Sequence, residues 1–367
     1  MMEMLFFIVM MVVIVVLQAM TPYVIRRGES FGVMIGEKSA EDPAIRRMKR
    51  QFMQWNLVIG AIVTVMMAVI LAFTTESENT QAVVLIAGIF AVLIASFLVY
   101  LRFHKESLVW KRENLHEVNK VDIVMVDTTF HRQKLTISYA WYLIPFVLIC
   151  MTVGLTVIYY DQIPSMIPMQ YNFDNEITRM VAKSYRTVMM MPMMQLAMLG
   201  LFIFINFMMT RSKQVIDNDN PSLSMKRNVM FRRIYSQFNF VMGTLLILLF
   251  MVIQMSFIFA ISQVAIMTMT IAVLVIIFGG LIFLMVRVGQ GGSRLKLRED
   301  DDASARPVRD DDAYWKMGVF YVNRHDPAVF VEKRFGVGWT INMARPTAWL
   351  TFIAMIGMIV VISIIFS

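Results

Sequence analysis

The chain offers few groups able to do chemistry. Its four histidines are His104, His116, His131 and His325, and its one cysteine is Cys150. No histidine stands at metal-ligand spacing from another His, Cys or Glu, so neither a zinc helix nor a zinc ribbon is expected. A glycine-rich phosphate loop with its Lys and Ser/Thr is missing, which argues against ATP-driven transport by this chain. Thioethers suit Cu(I), and Met189–Met191 with Met193 and Met194 bracket Pro192. Methionine is also an apolar filler, and the 36 methionines occur in nearly every apolar stretch, so filling is the better reading. The runs Asp300–Asp302 and Asp310–Asp312 lack the spacing of an EF-hand loop. No cofactor, metal or catalytic residue is therefore expected, and a single cysteine excludes an intrachain disulfide.

The elements around these residues explain the scarcity. Hydrophobic residues make up 58% of the 367 and charged ones only 16%. Eight stretches hold no Asp, Glu, Lys or Arg: Met4–Val24, Leu57–Phe73, Ala82–Leu101, Ala140–Tyr160, Val188–Met209, Phe240–Ser262, Val264–Val286 and Ala348–Phe366. A charge at a bilayer centre costs about 3 kcal/mol on insertion scales, and each stretch is long enough to cross as a helix. The expected fold is an all-α polytopic membrane protein with eight transmembrane helices. Soluble enzymes, secreted disulfide scaffolds and nucleic-acid-binding domains are excluded as whole-chain readings, and no direct nucleic-acid binding is expected. The first span is expected to persist, because Glu3 and no Lys or Arg precede it and no small-residue cleavage site follows.

Basic loops translocate poorly. With both termini outside, 31 of the 34 Lys and Arg fall in four internal connections, which net +11 against −3 outside and account for the overall +8. The three basic residues left outside, Arg179, Lys183 and Arg186, share one loop, 161–187. Pro164 and Pro168 set an extended course there, and Asp174-Asn175 favour a tight turn. Short loops lose insertion efficiency when they carry such charges, so Lys183 and its neighbours are expected to serve a purpose.

Among the internal segments, Ile45, Met48 and Phe52 fall at helical spacing opposite Arg46, Arg47, Lys49 and Arg50. That pattern suits a short helix lying on anionic headgroups. Met48-Lys49-Arg50 corresponds to Met225-Lys226-Arg227, and Trp110-Lys111 to Trp315-Lys316. These echoes raise a duplication into two parallel four-helix repeats. Domains are accordingly drawn as 1–160 (spans one to four), the external loop 161–187, 188–286 (spans five to seven), a charged solvated linker 287–312, a small β-rich cytoplasmic segment 313–346, and span eight in 347–367. In the β-rich segment Val319–Val322 and Val329–Glu332 read as strands joined at Asn323–Pro327, with a second turn at Gly336 and Gly338 before Trp339–Met343. Trp315, Trp339 and Trp349 are expected near headgroups, His104 and His116 on solvated helix extensions. Within the spans Gln18, Gln195, Asn206 and Gln254 are expected to bond helix to helix, and Pro145 and Pro192 to kink their helices.

The run Ile167-Pro168-Met169-Gln170-Tyr171-Asn172, followed by Asn175-Glu176 and then Lys183, resembles domain of unknown function 1648. That domain occurs in the immunity-protein family for the sporulation-delaying toxin. Its pattern has His where Gln170 stands and Gly where Asn175 stands; Asn tolerates the left-handed turn conformation, whereas Gln170 loses any titratable or metal-binding role. Tyr314-Trp315-Lys316, Gly318, Tyr321, Asn323, Asp326-Pro327, Arg334, Gly336, Gly338, Thr340 and Asn342 resemble a second uncharacterised family, domain of unknown function 5808. Residues 31–52, from Phe31-Gly32-Val33, are also similar to the first loop of such proteins. The resemblances imply a bacterial multi-pass membrane protein and no known reaction. In the immunity family the protein protects against a secreted toxin and communicates with a transcriptional repressor. The expectation is thus a non-catalytic sensor or immunity protein, with the lipid bilayer, an extracellular peptide and a cytoplasmic regulator as partners. An uncoupled transporter or exporter of a small or lipophilic solute, lined by Gln195, Asn206 and Gln254, is the alternative.

Overall fold

The computed structural model describes residues 2–36, 38–73, 78–114, 134–171, 176–214, 221–295 and 311–366. Eight long helices dominate it: α1 (Met2–Val24), α2 (Pro43–Phe73), α3 (Glu78–Asn114), α4 (Leu143–Ile158), α6 (Met190–Arg211), α7 (Pro221–Met255), α8 (Gln263–Arg287) and α9 (Pro346–Phe366), with a single turn, α5 (Tyr185–Val188), before α6. α1 to α4 and α6 to α8 are long and apolar enough to cross a membrane. α9 is the eighth, 21 residues without a charge. The protein is a multi-pass integral membrane protein. His116, His131 and the acidic run Asp300–Asp302 lie outside the described residues.

Three helices outgrow the bilayer, α2, α3 and α7 at 31, 37 and 35 residues. At 1.5 Å per residue each exceeds even the roughly 40–45 Å of a bilayer with its headgroup regions. α2 starts at Pro43, which has no N–H to leave unpaired, and Asp42 Oδ1 accepts from Ala44 N at 2.7 Å. Residues 44–52 are thus the first turns of α2 rather than a separate surface helix. Their apolar stripe does not meet lipid: Ile45, Met48 and Phe52 are buried against Phe31, Tyr100, Phe103 and Trp110. Pro145 and Pro192 each occupy the third position of a helix, α4 and α6. Each follows a shorter helical turn of the same span, Tyr139–Tyr142 and α5, so the interruption expected of the prolines falls at the start of α4 and α6.

Packing groups the helices three and five rather than four and four. α1, α2 and α3 pack on one another, whereas α4 packs on α6 and α7, α8 on α7, and α9 on α6. In the second bundle Gln195 Nε2 donates to the Ile247 carbonyl at 2.9 Å, Gln254 Nε2 to Thr156 Oγ1 at 3.1 Å, and Asn206 accepts from Ser236 Oγ. These are the interhelical bonds expected of polar residues in spans.

Four two-stranded antiparallel hairpins complete the structure: β1 (Glu29–Ser30) with β2 (Val33–Met34), β3 (Met166–Tyr171) with β4 (Ile177–Ala182), β5 (Trp315–Lys316) with β6 (Phe320–Tyr321), and β7 (Phe330–Glu332) with β8 (Trp339–Ile341). The two strands expected to pair across Asn323–Pro327 instead pair each with its own neighbour. Met317 and Gly318 at φ 53° and 70° explain why, since a tight hairpin turn of the type I′ kind needs two left-handed residues. Loop 161–187, expected to be extended and turned, is the β3–β4 hairpin. The expected linker is narrower than 287–312: Gln290–Gly292 is a buried helical turn, and Asp311 and Asp312 are held in ion pairs.

Candidate functional site: a charged junction between two helix bundles

The four hairpins mark two places. Three lie at the end of the bundle where α1 and α3 finish and α2 begins; the β3–β4 hairpin lies at the other end, between α4 and α6.

At the first place two tight turns meet. Phe31-Gly32 closes β1–β2 with φ 45° and 76°, as Met317-Gly318 closes β5–β6. A Cβ on Gly32 would stand 2.5 Å from the Gly318 carbonyl oxygen and 2.7 Å from the Tyr100 hydroxyl. Tyr100 donates to the Met317 carbonyl at 2.8 Å, and His104 Nδ1 lies 2.8 Å from the Phe31 carbonyl, so α3 fixes both turns. A bulky residue at positive φ costs of order 1–3 kcal/mol. Phe31 offsets that by complete burial among Phe52, Tyr100, Phe103 and Phe335.

Charges then tie the C-terminal hairpins to both bundles. Arg334, nearly buried, forms ion pairs with Asp311 and Asp312, donates to the Gly32 carbonyl at 3.1 Å and lies over the Trp315 ring. Asp312 also takes Lys111 Nζ at 2.7 Å and accepts from Met34 N at 3.2 Å. Burial alone would raise the Asp312 carboxyl, but Arg334 and Lys111 outweigh it and hold it below the usual carboxylate range. Glu332 accepts from Arg26, just past α1, at 2.5 Å and lies 3.5 Å from Arg232 of α7. Arg232 in turn donates to the carbonyls of Met209, Ser212 and Lys213 at the end of α6. A Cβ at residue 291 would overlap the Arg26 guanidinium, so Gly291 is what lets Arg26 through to Glu332. Beside them Glu29 is buried, and its Oε2 has no hydrogen-bond partner among the described residues. Burial, opposed by Arg26 and Arg334 and aided by Asp311 and Glu332, pushes its carboxyl up to about 7.

A polar knot completes this segment. Asn342 donates to the carbonyls of Asn323 at 2.8 Å, Ala328 at 3.2 Å and Asp326 at 3.3 Å, and its Oδ1 accepts from Asn323 N. Tyr321 donates to Asp326 at 2.7 Å, and Lys213, just past α6, pairs with the same carboxylate. Gln290 grips Gly338 twice, donating to its carbonyl at 2.9 Å and accepting from its N–H at 2.8 Å. Residues 311–345 thus clamp the two bundles: Phe335 sits against the aromatic cluster of α2 and α3, Trp339 against Phe231 and Tyr235 of α7.

Trp315, Gly318, Tyr321, Asn323, Asp326, Arg334 and Asn342, singled out in the sequence, all come together here; Gly336 and Gly338, at φ 94° and 104°, shape the β7–β8 turn. Trp315 and Trp339 pack inside the protein and not at headgroups, while Trp349 is 45% exposed. His104 is held by the turns and is not a solvated extension. Arg26, Glu29, Lys111, Lys213, Arg232, Gln290 and Glu332 escaped the sequence reading. Glu332, directly after Phe330-Val331, carried the one local signal, a carboxylate in a β-type apolar run; Glu29, between Gly28 and Ser30, carried none. No cluster of His, Cys, Asp and Glu able to hold a metal occurs among the described residues.

At the opposite end the hairpin rests on buried Ile163, Ile167 and Val188, packed against Phe257 and Ile258 just past α7. Lys183 Nζ donates to the Ile163 carbonyl at 2.8 Å and lies 5.0 Å from the centre of the Tyr160 ring, while Ser184 and Thr187 form a capping box for α5. Pro168 has no N–H for the ladder, and the register shifts directly after it. Pro164, Gln170, Tyr171 and Glu176 are exposed; Asn172 and Asn175 lie outside the described residues.

No curated protein and no solved structure matches the chain. Residues 324–349 match a family of unknown function, DUF5808, a match that takes in Asp326, Glu332, Arg334, Gly336, Gly338 and Asn342 and begins after Trp315, Gly318, Tyr321 and Asn323. Residues 147–196 match a domain of unknown function, DUF1648, over most of α4, the whole β3–β4 hairpin and the start of α6, so this multi-pass membrane protein carries segments similar to two uncharacterised families.

Proposed function

We propose that the chain is a non-catalytic bacterial membrane sensor or immunity protein. In this reading its β3–β4 hairpin faces outward to meet a peptide, and its charged junction faces the cytoplasm to meet a regulator. One observation carries the proposal: α7 is bonded at both ends. Near its C-terminus Gln254 donates to the Val188 carbonyl beneath the hairpin at 3.1 Å, and on the same helix Arg232 lies 3.5 Å from Glu332 in the junction. The 22 helical steps from Arg232 to Gln254 span about 33 Å, so a push on the hairpin has a stiff route to the junction. The charge distribution supports the orientation, since 31 of the 34 basic residues belong to the four sequence connections that this reading puts inside. The solute-pathway reading loses its motive, since Gln195, Asn206 and Gln254 are fully buried and each bonds a neighbouring helix.

Orientation is tested with single cysteines in a Cys150→Ser background. Intact cells treated with a membrane-impermeant maleimide should label Thr178→Cys and spare Arg324→Cys; the reverse pattern overturns the reading. Function is tested by deleting the gene and challenging cells with membrane-active peptides. Greater sensitivity, restored by the wild type but not by a chain lacking residues 166–182, is expected. Unchanged sensitivity together with an unchanged transcript profile defeats the proposal.

A further inference from the structure

The β3–β4 hairpin joins two spans, Tyr139–Ile158 and Tyr185–Arg211. An antiparallel strand with one buried face ordinarily carries polar side chains on the other. Here Met166 pairs with Ala182 and Pro168 with Met180, on the face opposite buried Ile167 and its partner Val181. Both faces are thus apolar at the base of the hairpin, and Met166 and Met180 are each 45% exposed. Further out, polar Gln170, Thr178 and Arg179 are interspersed with Tyr171 and Ile177, and all five are exposed. Ala182 stands three residues before Tyr185, whose ring stacks on Tyr160 at 4.5 Å and yet remains 67% exposed. Tyr159 meets Phe259, which follows α7, at 5.7 Å. Ile158, the last residue of α4, is 73% exposed.

What covers this apolar surface follows from where it begins. Ile158 and Tyr185 end spans that cross the bilayer, so lipid meets their exposed sides, and Ala182 with Met166 carries the apolar surface on from Tyr185 into the hairpin. Tyrosines collect at the membrane–water boundary, ring toward the hydrocarbon and hydroxyl toward water; Tyr159, Tyr160 and Tyr185 mark that level at the hairpin's base. A sheet of only two strands leaves two outer edges without a strand neighbour. Hydrocarbon does not tolerate open edges, so the backbone belongs at headgroup depth, with apolar side chains reaching down. We propose that the β3–β4 hairpin lies on the bilayer surface, with Met166 and Met180 seated in the interfacial layer beside Tyr185 and Thr178 standing in water. Arg179 has the stem length to keep its charge among the headgroups. This seating does not rest on the sensing reading: it holds whichever side of the membrane the hairpin faces and whether or not a peptide binds. Its consequence is that an agent meeting the hairpin meets it at the membrane surface.

The test reads nitroxide labels on single cysteines, in a Cys150→Ser background, with the full-length protein in phosphatidylcholine–phosphatidylglycerol vesicles. Molecular oxygen concentrates in hydrocarbon and a neutral nickel chelate, supplied on both sides, stays in water. The ratio of their collisions with the label therefore reports depth. Met166→Cys and Met180→Cys should give an oxygen-to-nickel ratio several-fold above that of Thr178→Cys and approaching that of Leu196→Cys, an exposed position within the α6 span. Should a label at one methionine prevent folding, as judged by helix content, the other decides. Ratios at the methionines equal to that at Thr178→Cys overturn the proposal. Exclusion of both reagents overturns it too, since a second copy of the chain would then cover the face.

Discussion

Arg26 and Glu332, 306 residues apart in the chain, meet at 2.5 Å in the seam between two helix bundles. The carboxylate they share with Arg232, whose side chain is completely buried, belongs to neither bundle but to the C-terminal hairpin that bridges them. Desolvated charges of this kind are held only by their partners. The junction therefore behaves as a unit: removing one member leaves others buried and uncompensated.

Glu332→Gln is the direct trial of that statement. The amide keeps the shape and loses the charge, taking the shared carboxylate away from Arg26 and Arg232. Breaking a buried pair from one side costs about 3–5 kcal/mol, so the melting temperature of the purified protein should fall markedly. Glu106→Gln serves as the control. Its partner Arg102 is 64% exposed, and an exposed pair is worth about 1 kcal/mol or less. Equal melting of the two variants would show that the junction charges are not coupled to folding.

Glu29 should make stability depend on pH near neutrality. Its carboxyl is raised from 4.5 to about 7 by burial, so the folded protein binds this proton more tightly than the unfolded chain. The stabilisation is complete below pH 4.5, declines as pH rises through 7, and amounts to about 3 kcal/mol over that window. Glu29→Gln, neutral throughout, should flatten the profile and exceed the wild type in stability at pH 8. Unfolding curves at pH 5, 6, 7 and 8 decide this. Asp312 acts in the opposite sense: held low by Arg334 and Lys111 against its burial, it loses stabilisation only under acid conditions below the ordinary carboxylate range.

The eight helices were legible because hydrocarbon excludes charge, and that exclusion leaves a gap in the sequence wherever a helix crosses. The stripe of Ile45, Met48 and Phe52 was legible as periodicity but not as partner, since the same stripe fits headgroups or an aromatic cluster. Arg26 and Arg232 were hidden by the orientation rule, which accounts for any cation near a span end whether or not it is paired. The β3–β4 hairpin was hidden by Pro168, which reads against a strand yet is tolerated where the ladder shifts. Phe31 and Met317 are left-handed residues that local preference disfavours. Only the contact between their turns explains them, and that contact joins segments whose pairing no local pattern records.

That turn-to-turn contact predicts a difference between two glycines of similar backbone. Gly32 and Gly336 both hold positive φ, 76° and 94°. A Cβ at Gly336 meets nothing within 4 Å, whereas one at Gly32 meets the Gly318 carbonyl and the Tyr100 hydroxyl. Gly336→Ala should cost about 1 kcal/mol from conformation alone. Gly32→Ala should cost more, because backbone on the far side must move as well. Thermal melts of the two variants side by side read the difference, and a Gly32→Ala protein no less stable than Gly336→Ala would mean the turns do not bear on each other.

At the other end, Lys183 is a staple rather than an exposed charge. Its ammonium gives the Ile163 carbonyl a hydrogen bond at 2.8 Å and covers the Tyr160 ring, joining the end of β4 to the chain leading into β3. A hydrogen bond from a charged donor is worth about 1.5–3 kcal/mol. Lys183→Met should therefore loosen residues 163–171 locally without unfolding the bundle, because Ile163, Ile167 and Val188 remain packed on Phe257 and Ile258. Hydrogen exchange should quicken in the hairpin amides, notably the Lys183 N–H that donates to the Ser165 carbonyl in the wild type at 2.8 Å, while amides of α7 stay protected. Arg179→Gln, on an exposed strand position opposite Gln170, should leave exchange unchanged. If Lys183→Met also sped exchange around Arg232, the stiff route along α7 would be visible directly; if neither region changed, Lys183 would have no role in holding the hairpin.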